Sequence, residues 1–242
     1  MGFVILILGG TAEGRRLAEE LVGRDVVLSL AGRTRAPLVA GEVRIGGFGG
    51  VDGLRDYLRG RRVTAVVDAT HPFADRMSAN AAMACAVEGV ALMRLVRPSW
   101  AAHPLSETWR WVDGHDDAAR LTATLGARPL LTVGRQHTPD YVADLANHDL
   151  LARVAERPSA FLPANWTLIT SRGPFTLDGE RALMTAHRID VLVAKDAGGS
   201  HTDAKLTAAA ERGSAVVMIR RPPSPAGVPE VGDVAGALAW LG

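Results

Sequence analysis

Short apolar runs rich in valine, isoleucine and leucine recur along this chain, separated by segments whose apolar positions repeat at helical spacing. Runs that are apolar throughout are typical of parallel strands buried on both faces. Strands that alternate with helices predict an α/β fold with right-handed crossovers between mainly parallel strands. The predicted strands are FVILIL (3–8), VVLSLA (26–31), TAVVDA (64–69), VALMRL (90–95), PLLTV (129–133), IDVLVA (189–194) and AVVMI (215–219).

The alternation is interrupted between Arg97 and Arg128, where the sequence carries two prolines and three of the five tryptophans. We therefore predict two lobes, residues 1–112 and 113–242, with the boundary inside 97–128. The tail RPPSPAGVPEVGD is predicted to be a proline-rich loop that wraps back before a short final helix.

Composition places the chain among ordinary globular proteins. Its 242 residues are 48% hydrophobic and 22% charged, and the net charge is +1, which excludes a disordered chain and a basic nucleic-acid-binding surface. One cysteine, Cys85, excludes an intramolecular disulfide and a multi-cysteine metal site, and is typical of a reducing compartment. The seven histidines have no metal-ligand spacing.

The longest apolar runs are much shorter than the roughly 18 residues that a transmembrane helix requires. The opening MGFVILILGG has no basic stretch ahead of its apolar residues, unlike a secretion signal. The sequence therefore predicts a cytoplasmic protein with neither a membrane nor a nucleic acid as partner.

The segment FVILILGGTAEGRRLAEEL combines a strand, a glycine turn and an amphipathic helix, as in the first turn of a nucleotide-binding fold. Two glycines allow a tight turn close to a phosphate, a third allows close packing of helix on strand, and the helix N-terminus favours an anion. The spacing is GGxxxG, so an ordinary strand-to-helix turn stays open as an alternative. The predicted cofactor-binding residues of this turn are Gly9, Gly10, Thr11, Ala12, Glu13 and Gly14.

The end of the second predicted strand bears on the choice of cofactor. A site for NAD usually places an acidic residue there to hold the ribose hydroxyls. Here the strand ends as LAGRTR, and Arg33, Thr34 and Arg35 stand where the 2′-phosphate of NADPH would lie. The sequence therefore predicts NADPH as cofactor, with surface arginines as the alternative.

A turn with the sequence DATHPF follows the strand TAVVDA, and open α/β sheets bind ligands at such carboxyl ends. His71 could contact the nicotinamide half of the cofactor or donate a proton near neutral pH. The alternative is a capping turn whose imidazole bonds to the backbone. The predicted cofactor-binding residues of this turn are Thr70, His71, Pro72 and Phe73.

Three blocks occur in order between residues 9 and 222: GGTAEGRRLA, then DATHPFADRMSANA with LMRLVRPSW, then KDAGGSHTDAKLTAAAERGSAVVMIRRP. Together they resemble the precorrin-6A reductase family of cobalamin biosynthesis. The resemblance implies NADPH-dependent reduction of a carbon–carbon double bond of precorrin-6A, giving precorrin-6B. It implies two Rossmann-like lobes with the active site in the cleft between them, and neighbouring enzymes of the pathway as further candidate partners.

The resemblance also implies that residues 195–205 face the tetrapyrrole. Lys195 follows the strand IDVLVA directly, and Lys195 and Lys205 are the only lysines of the chain. Ser200 and Asp203 have the spacing of a capping box. A macrocycle with many carboxylates requires several cations at the ligand edge, and Arg94, near the end of the predicted strand VALMRL, is a further candidate. The predicted substrate-binding residues are Arg97, Arg135, His137, Ser171, Arg172, Lys195, Gly198, Gly199, Ser200, His201 and Lys205.

Hydride transfer to the macrocycle must be accompanied by a proton. His71, Lys195, Asp196 and bound water stay open as its donor. Two other functions stay open as alternatives. A reductase of a small carbonyl substrate ordinarily uses a Tyr-x-x-x-Lys pair, and neither Tyr57 nor Tyr141 has a lysine at that spacing. An NADP-binding redox-sensing regulatory protein would not need a second, cationic crevice.

Overall fold

The computed structural model describes residues 3–32, 41–199 and 203–242. The chain divides into two compact units. The first unit comprises the amino-terminal part up to Pro98 together with Pro222–Gly242, and the second comprises Ser99–Arg221. The chain passes between the units after Pro98 and again after Arg221, whereas the predicted division into 1–112 and 113–242 has a single boundary within 97–128. The last 21 residues return to the first unit, which a single boundary does not allow.

In the described part of the chain the strands are β1 (Val4–Leu8), β2 (Asp25–Leu30), β3 (Glu42–Ile45), β4 (Val63–Asp68), β5 (Ala91–Leu95), β6 (Arg110–Val112), β7 (Pro129–Leu131), β8 (Leu151–Val154), β9 (Thr167–Thr170), β10 (Val191–Lys195), β11 (Ala215–Ile219) and β12 (Glu230–Val231). The α-helices are α1 (Ala12–Glu20), α2 (Gly50–Arg61), α3 (Asp75–Glu88), α4 (His115–Leu125), α5 (Val142–Leu145), α6 (Leu177–Ala186), α7 (Ala204–Arg212) and α8 (Val234–Leu241). None of these helices combines the length and the apolar character that crossing a bilayer requires.

The sheet of the first unit has the strand order β12-β5-β4-β1-β2-β3, and every pairing is parallel. Its central strands are apolar because helices cover both faces. Leu8 pairs with Asp68, so β1 and β4 end at the same level, and the loops that follow them begin side by side. That edge is where open α/β sheets bind ligands.

The sheet of the second unit has the order β6-β11-β10-β7-β8-β9 and is also parallel throughout. Lys195 ends β10 opposite Ile219 of β11. The predicted α/β fold with two lobes of parallel strands is confirmed, and each of the seven predicted strands is present.

The proline-rich tail belongs to the first unit, because the chain returns there after the second unit. Its β12 pairs with β5, with Glu230 opposite Arg94, and the amide of Arg94 donates to the carbonyl of Pro229 at 2.9 Å. The tail therefore wraps back as predicted, but it ends as an edge strand of the first sheet. The α8 helix then packs beside α1 with Ala237 fully buried.

Candidate functional site

The turn after β1 has two positions that favour glycine. A Cβ atom on Gly9 would lie 2.7 Å from the Cδ1 atom of Leu28, so any side chain there would force Leu28 to move. Gly10 has φ +145°, a backbone conformation that residues with a side chain rarely adopt. Thr11 then begins α1 as its N-cap, and its hydroxyl accepts a hydrogen bond from the amide of Gly14 at 3.2 Å.

The glycine turn and the DATHPF turn are in direct contact. The hydroxyl of Thr11 donates to the carbonyl of Ala69 at 2.8 Å. A Cβ on Gly14 would lie 2.9 Å from the Cβ of Ala69, so glycine at this position lets the helix approach the end of β4. The structure thus brings together the two motifs that the sequence predicts to bind the cofactor.

Asp68, the last residue of β4, holds the DATHPF turn in place through hydrogen bonds. This carboxylate is 1% exposed and accepts hydrogen bonds from the amide and hydroxyl of Thr70, at 3.1 and 2.7 Å. The hydroxyl of Ser78 donates to it at 2.5 Å and the Nε of Arg94 at 3.2 Å. Arg94 was expected to reach substrate from the end of its strand. It lies in β5 and is buried, and the burial is tolerated because its guanidinium pairs with Asp68 and Glu230.

His71 is partly exposed at the top of the same turn. Its Nδ1 accepts a hydrogen bond from the amide of Phe73 at 3.2 Å, which leaves the ring proton on Nε2 when the imidazole is neutral. This is the capping geometry that the sequence left open for His71. Arg97 lies beside the first turn of α1, with its Nε 3.9 Å from the carboxylate of Glu13. Arg97, predicted to bind substrate, is therefore placed with the glycine turn.

These residues fit a dinucleotide. The first turn of α1 presents amides that have no acceptor within the helix, and the positive end of the helix dipole lies at the glycine turn. A Cβ on Gly10 would meet no atom within 4 Å, so the space above this turn is open to a phosphate. Arg33, Thr34 and Arg35, predicted to hold the 2′-phosphate, lie outside the described residues.

In the second unit, Lys195 stands at the carboxyl end of β10. Burial lowers the pKa of its ammonium to about 8. Lys205, on the first turn of α7, is also buried, and its Nζ lies 5.1 Å from the centre of the Trp100 ring. Both lysines therefore lie at this edge of the second sheet, among apolar and aromatic groups.

A pair of stacked histidines lies beside Lys195. The rings of His115 and His137 are 3.9 Å apart and nearly parallel, with 8° between their planes. The hydroxyl of Tyr141 is 3.1 Å from Nδ1 of His115, and a carboxylate oxygen of Asp140 is 2.9 Å from Nδ1 of His137. Burial and the charges of His137 and Lys195 lower the pKa of His115 to about 4, so His115 is neutral near pH 7.

Asp196 follows Lys195 and is 3% exposed. Its carboxylate accepts from the hydroxyl of Ser99 at 2.6 Å and from the amide of Trp100 at 2.9 Å. Arg221 donates to both of its oxygens, at 3.0 and 3.2 Å. Through these four donors Asp196 binds both ends of the second unit, Ser99 where the chain enters it and Arg221 where the chain leaves it.

Two arginines predicted to bind substrate share one carboxylate. Arg135 and Arg172 lie 2.5 and 2.8 Å from the two oxygens of Glu156. Ser171 precedes Arg172, and its amide donates to the carbonyl of Val154 at 2.9 Å. Gly198 and Gly199 have φ of +67° and +75°, a left-handed conformation that favours glycine at both positions of the loop after β10.

The family model for precorrin-6x reductase CbiJ/CobK matches residues 4–242. A precorrin-6A reductase from Rhodococcus erythropolis is 51% identical over 98% of this chain and 97% of its own length. A precorrin-6A reductase from Mycobacterium tuberculosis strain H37Rv is 47% identical over 98% of this chain and 96% of its own. A solved structure titled CobK precorrin-6A reductase is 42% identical, with a TM-score of 0.88 over 99% of this chain and 96% of its own.

The chain belongs to the precorrin-6x reductase family. It is an oxidoreductase of this family, as the resemblance in three ordered blocks implies. The described residues of this reductase hold no group of three or more histidine, cysteine, aspartate or glutamate side chains that could bind one metal ion.

The structure of this reductase gathers most of the predicted residues at two sheet edges. The glycine turn, the DATHPF turn and Arg97 lie in the first unit, and Arg135, His137, Ser171, Arg172, Lys195, Gly198, Gly199 and Lys205 lie in the second. Ser200 and His201 lie outside the described residues. The predicted capping box does not start α7, because Asp203 is the N-cap residue of that helix.

Three residues at the second edge were not predicted. His115 is the first residue of α4, in a mixed-charge segment that gave no sign of a ring stack. Glu156 and Arg157 lie in AERPS after β8, a segment that reads as an ordinary solvated loop. Glu156 and Arg157 could have been found from their position alone, because each loop that follows a parallel strand reaches the ligand edge of the sheet.

Proposed function

We propose that this protein reduces a carbon–carbon double bond of precorrin-6A with NADPH, giving precorrin-6B in cobalamin biosynthesis. The observation that carries the proposal is a glycine turn at the carboxyl edge of one parallel sheet and a set of lysine and arginine side chains at the same edge of another. Membership of the family and identities near 50% with precorrin-6A reductases support it. The reaction consumes one NADPH and one proton for each bond reduced.

The first unit binds the cofactor in this proposal. Gly9, Gly10 and the first amides of α1 receive the pyrophosphate, since a helix N-terminus favours an anion. The contact between Gly14 and Ala69 holds the DATHPF turn beside it, with His71 directed by its bond to Phe73. NADPH supplies the hydride when bound. The sequence RTR at 33–35 and the lack of an acidic residue after β2 in the sequence support NADPH over NADH.

The second unit binds the macrocycle. Lys195 and Lys205 are cations in partly apolar surroundings, which favour ion pairing with the carboxylates of a substrate that excludes water. Arg135 and Arg172 add two guanidinium groups near the loop after β8. His137 contributes an imidazole held by Asp140. Together they provide the positive charge that a polycarboxylate tetrapyrrole requires.

Lys195 is the strongest of the predicted proton donors. Its pKa of about 8 lies close to neutral pH, where a general acid both holds its proton and releases it readily. Asp196 is assigned a positioning role, because its oxygens are engaged by Ser99, Trp100 and Arg221. The buried, single cysteine supports a reducing, cytoplasmic location.

The test is a paired measurement of binding and turnover. Purified protein should oxidise one NADPH for each precorrin-6A consumed, with NADPH preferred to NADH. Lys195→Ala should reduce turnover or macrocycle affinity by at least tenfold while the Kd for NADPH stays within twofold. Arg128→Ala, at the opposite edge of the second sheet, is the matched control. Binding of NADPH without oxidation in the presence of precorrin-6A would instead favour a redox-sensing protein.

A further inference from the structure

Three arginines follow three neighbouring strands of the second sheet. Arg135 follows β7, Arg157 follows β8 and Arg172 follows β9, and these strands are adjacent in the order β7-β8-β9. Parallel strands end at one edge, so the three loops emerge side by side. The topology of the sheet therefore brings three arginine-bearing loops to one edge.

Glu156 is the carboxylate at this edge. Its two oxygens lie 2.5 Å from Nη1 of Arg135 and 2.8 Å from Nη2 of Arg172, and all three side chains are about half exposed. A carboxylate received by two arginines from separate loops marks a place where a planar anion fits. Because these groups are exposed, solvent weakens the pairing, and another carboxylate can compete for the arginines.

A cavity of about 450 Å³ lies next to this cluster. It is lined by Arg135, Gln136 and Pro139 from the loop after β7, and by Arg157 and Ser159 from the loop after β8. Among the described residues, Arg157 has no carboxylate within ion-pair distance. With Arg135, Arg157 and Arg172 set against Glu156, the edge has an excess of positive charge.

The same loop presents an aromatic ring to solvent. Phe161 is 88% exposed, four residues after Arg157 and next to Ala160, which lines the cavity. An exposed apolar ring on a loop that also lines a cationic cavity suits a ligand that is apolar in its body and anionic at its periphery. A free phosphate or a small dicarboxylate would leave this ring without a contact.

We propose that the cavity beside Arg135 and Arg157 is a subsite for a carboxylate side arm of the macrocycle, and that Glu156 is a built-in competitor that tunes affinity for that arm. The inference rests on the proposed function and extends it to residues with no assigned role, Arg157, Glu156 and Phe161. Arg157 supplies the charge that the arm meets first. Arg135 and Arg172 are released to the arm when it displaces Glu156.

The proposal predicts effects of opposite sign at neighbouring residues. Arg157→Ala removes a cation and should raise the Kd for a polycarboxylate macrocycle about fivefold. Glu156→Gln removes the competitor and should lower that Kd about threefold. Both effects should shrink when ionic strength rises from about 0.02 M to 0.5 M, because salt screens exposed charges.

The probe is a fluorescent porphyrin with eight carboxylate side chains, titrated against the full-length protein by fluorescence, with its methyl ester as the uncharged counterpart. Glu211→Gln is the matched control, since Glu211 also pairs with an arginine, Arg181, at similar exposure but on α7. It changes the net charge by the same amount and should leave the Kd unchanged. All these residues are on the surface, and thermal unfolding checks that each variant is folded.

An unchanged Kd in Arg157→Ala, or an equal gain in Glu156→Gln and Glu211→Gln, would overturn the subsite. Tight binding of the ester that is insensitive to Arg157 would do the same. The precorrin-6A assay tests the proposed function separately. If the unmodified protein does not oxidise NADPH in the presence of precorrin-6A, the proposed function is refuted, whatever the porphyrin titration shows. In that assay Arg157→Ala should raise KM about fivefold and leave kcat within twofold.

Discussion

Each unit places a buried aspartate at the carboxyl end of an interior strand, and the two aspartates have different tasks. Asp68 ends β4 and Asp196 follows β10, and each accepts hydrogen bonds from a serine, a backbone amide and an arginine. Arg94, the partner of Asp68, is 5% exposed on the neighbouring strand β5. Arg221, the partner of Asp196, is 20% exposed at the end of the second unit.

The difference lies in what each carboxylate holds. Asp68 binds Thr70 and Ser78 and so shapes the turn that we assign to the cofactor. Asp196 binds Ser99 and Arg221, the first and last residues of the second unit, and so fixes its two ends. A buried aspartate that accepts bonds from a serine, an amide and an arginine thus orders the proposed cofactor turn in the first unit. In the second unit it holds the first and last residues of the unit together.

The largest effect is expected for Asp68→Ala. It removes the acid from a fully buried pair and leaves the guanidinium of Arg94 with fewer acceptors, at a cost of about 3–5 kcal/mol in the free energy of unfolding. Equilibrium unfolding in urea, followed by far-UV circular dichroism, measures the change. Asp52→Ala, an aspartate that is 91% exposed on α2, should show no resolvable loss. Equal losses in both variants would contradict the importance of the Asp68 network.

A smaller loss, about 2–3 kcal/mol, is expected for Asp196→Ala. Arg221 is closer to solvent than Arg94, so water can hydrate the arginine that is left unpaired. Tryptophan fluorescence reports this variant, because four of the five tryptophans lie in the second unit. Asp178→Ala, exposed on α6, is the control. A loss larger than that of Asp68→Ala would reverse the comparison between the units.

The smallest effect is expected in the pH dependence of kcat/KM, and it concerns Lys195, the residue before Asp196. Burial lowers the pKa of Lys195 from 10.5 to about 8, so its ammonium is lost as pH rises through about 8. We expect kcat/KM for precorrin-6A to fall severalfold between pH 8 and 10, since this ratio reports groups of the free enzyme. In Lys195→Arg the cation persists and the fall should disappear. An identical fall in the variant would assign the titration to another group.

The pKa shift of Lys195 also has a consequence for stability. Between pH 8 and 10.5 the unfolded chain binds a proton that the folded protein does not, so this lysine makes the folded state more stable as pH rises through that range. The cost of burying the ammonium is therefore greatest below pH 8. This cost is consistent with a residue retained for function rather than for stability.

The part of the fold that could be predicted from the sequence is the set of buried strands that are apolar throughout. Each of the seven continuous apolar runs is a strand. The strand β8 was missed because Arg153 interrupts it, and Arg153 is tolerated there since it pairs with the buried Glu180 at 2.6 Å. The strand β12 has two residues in a proline-rich tail, and only its distant partner β5 makes it a strand. Local pattern carries no information about that pairing.

The candidate site was predictable where backbone geometry determines residue type. Gly9, Gly10 and Gly14 are glycines for steric and conformational reasons that the motif expresses directly. Charged residues were harder, because a sequence does not give their partners. Arg94 was expected to face substrate and is buried against Asp68, whereas Arg157, in an unremarkable loop, lines a cavity.

The second unit is inserted into the first, and this has a consequence for folding during synthesis. Residues up to Pro98 leave the ribosome first, yet their sheet lacks β12 until the last segment has emerged. By then every strand of the inserted unit, including β11, has already been translated. The part of the chain that is made first is therefore the part that finishes folding last, and a chain that ends at Arg221 would contain every strand of the second sheet but a first sheet without β12.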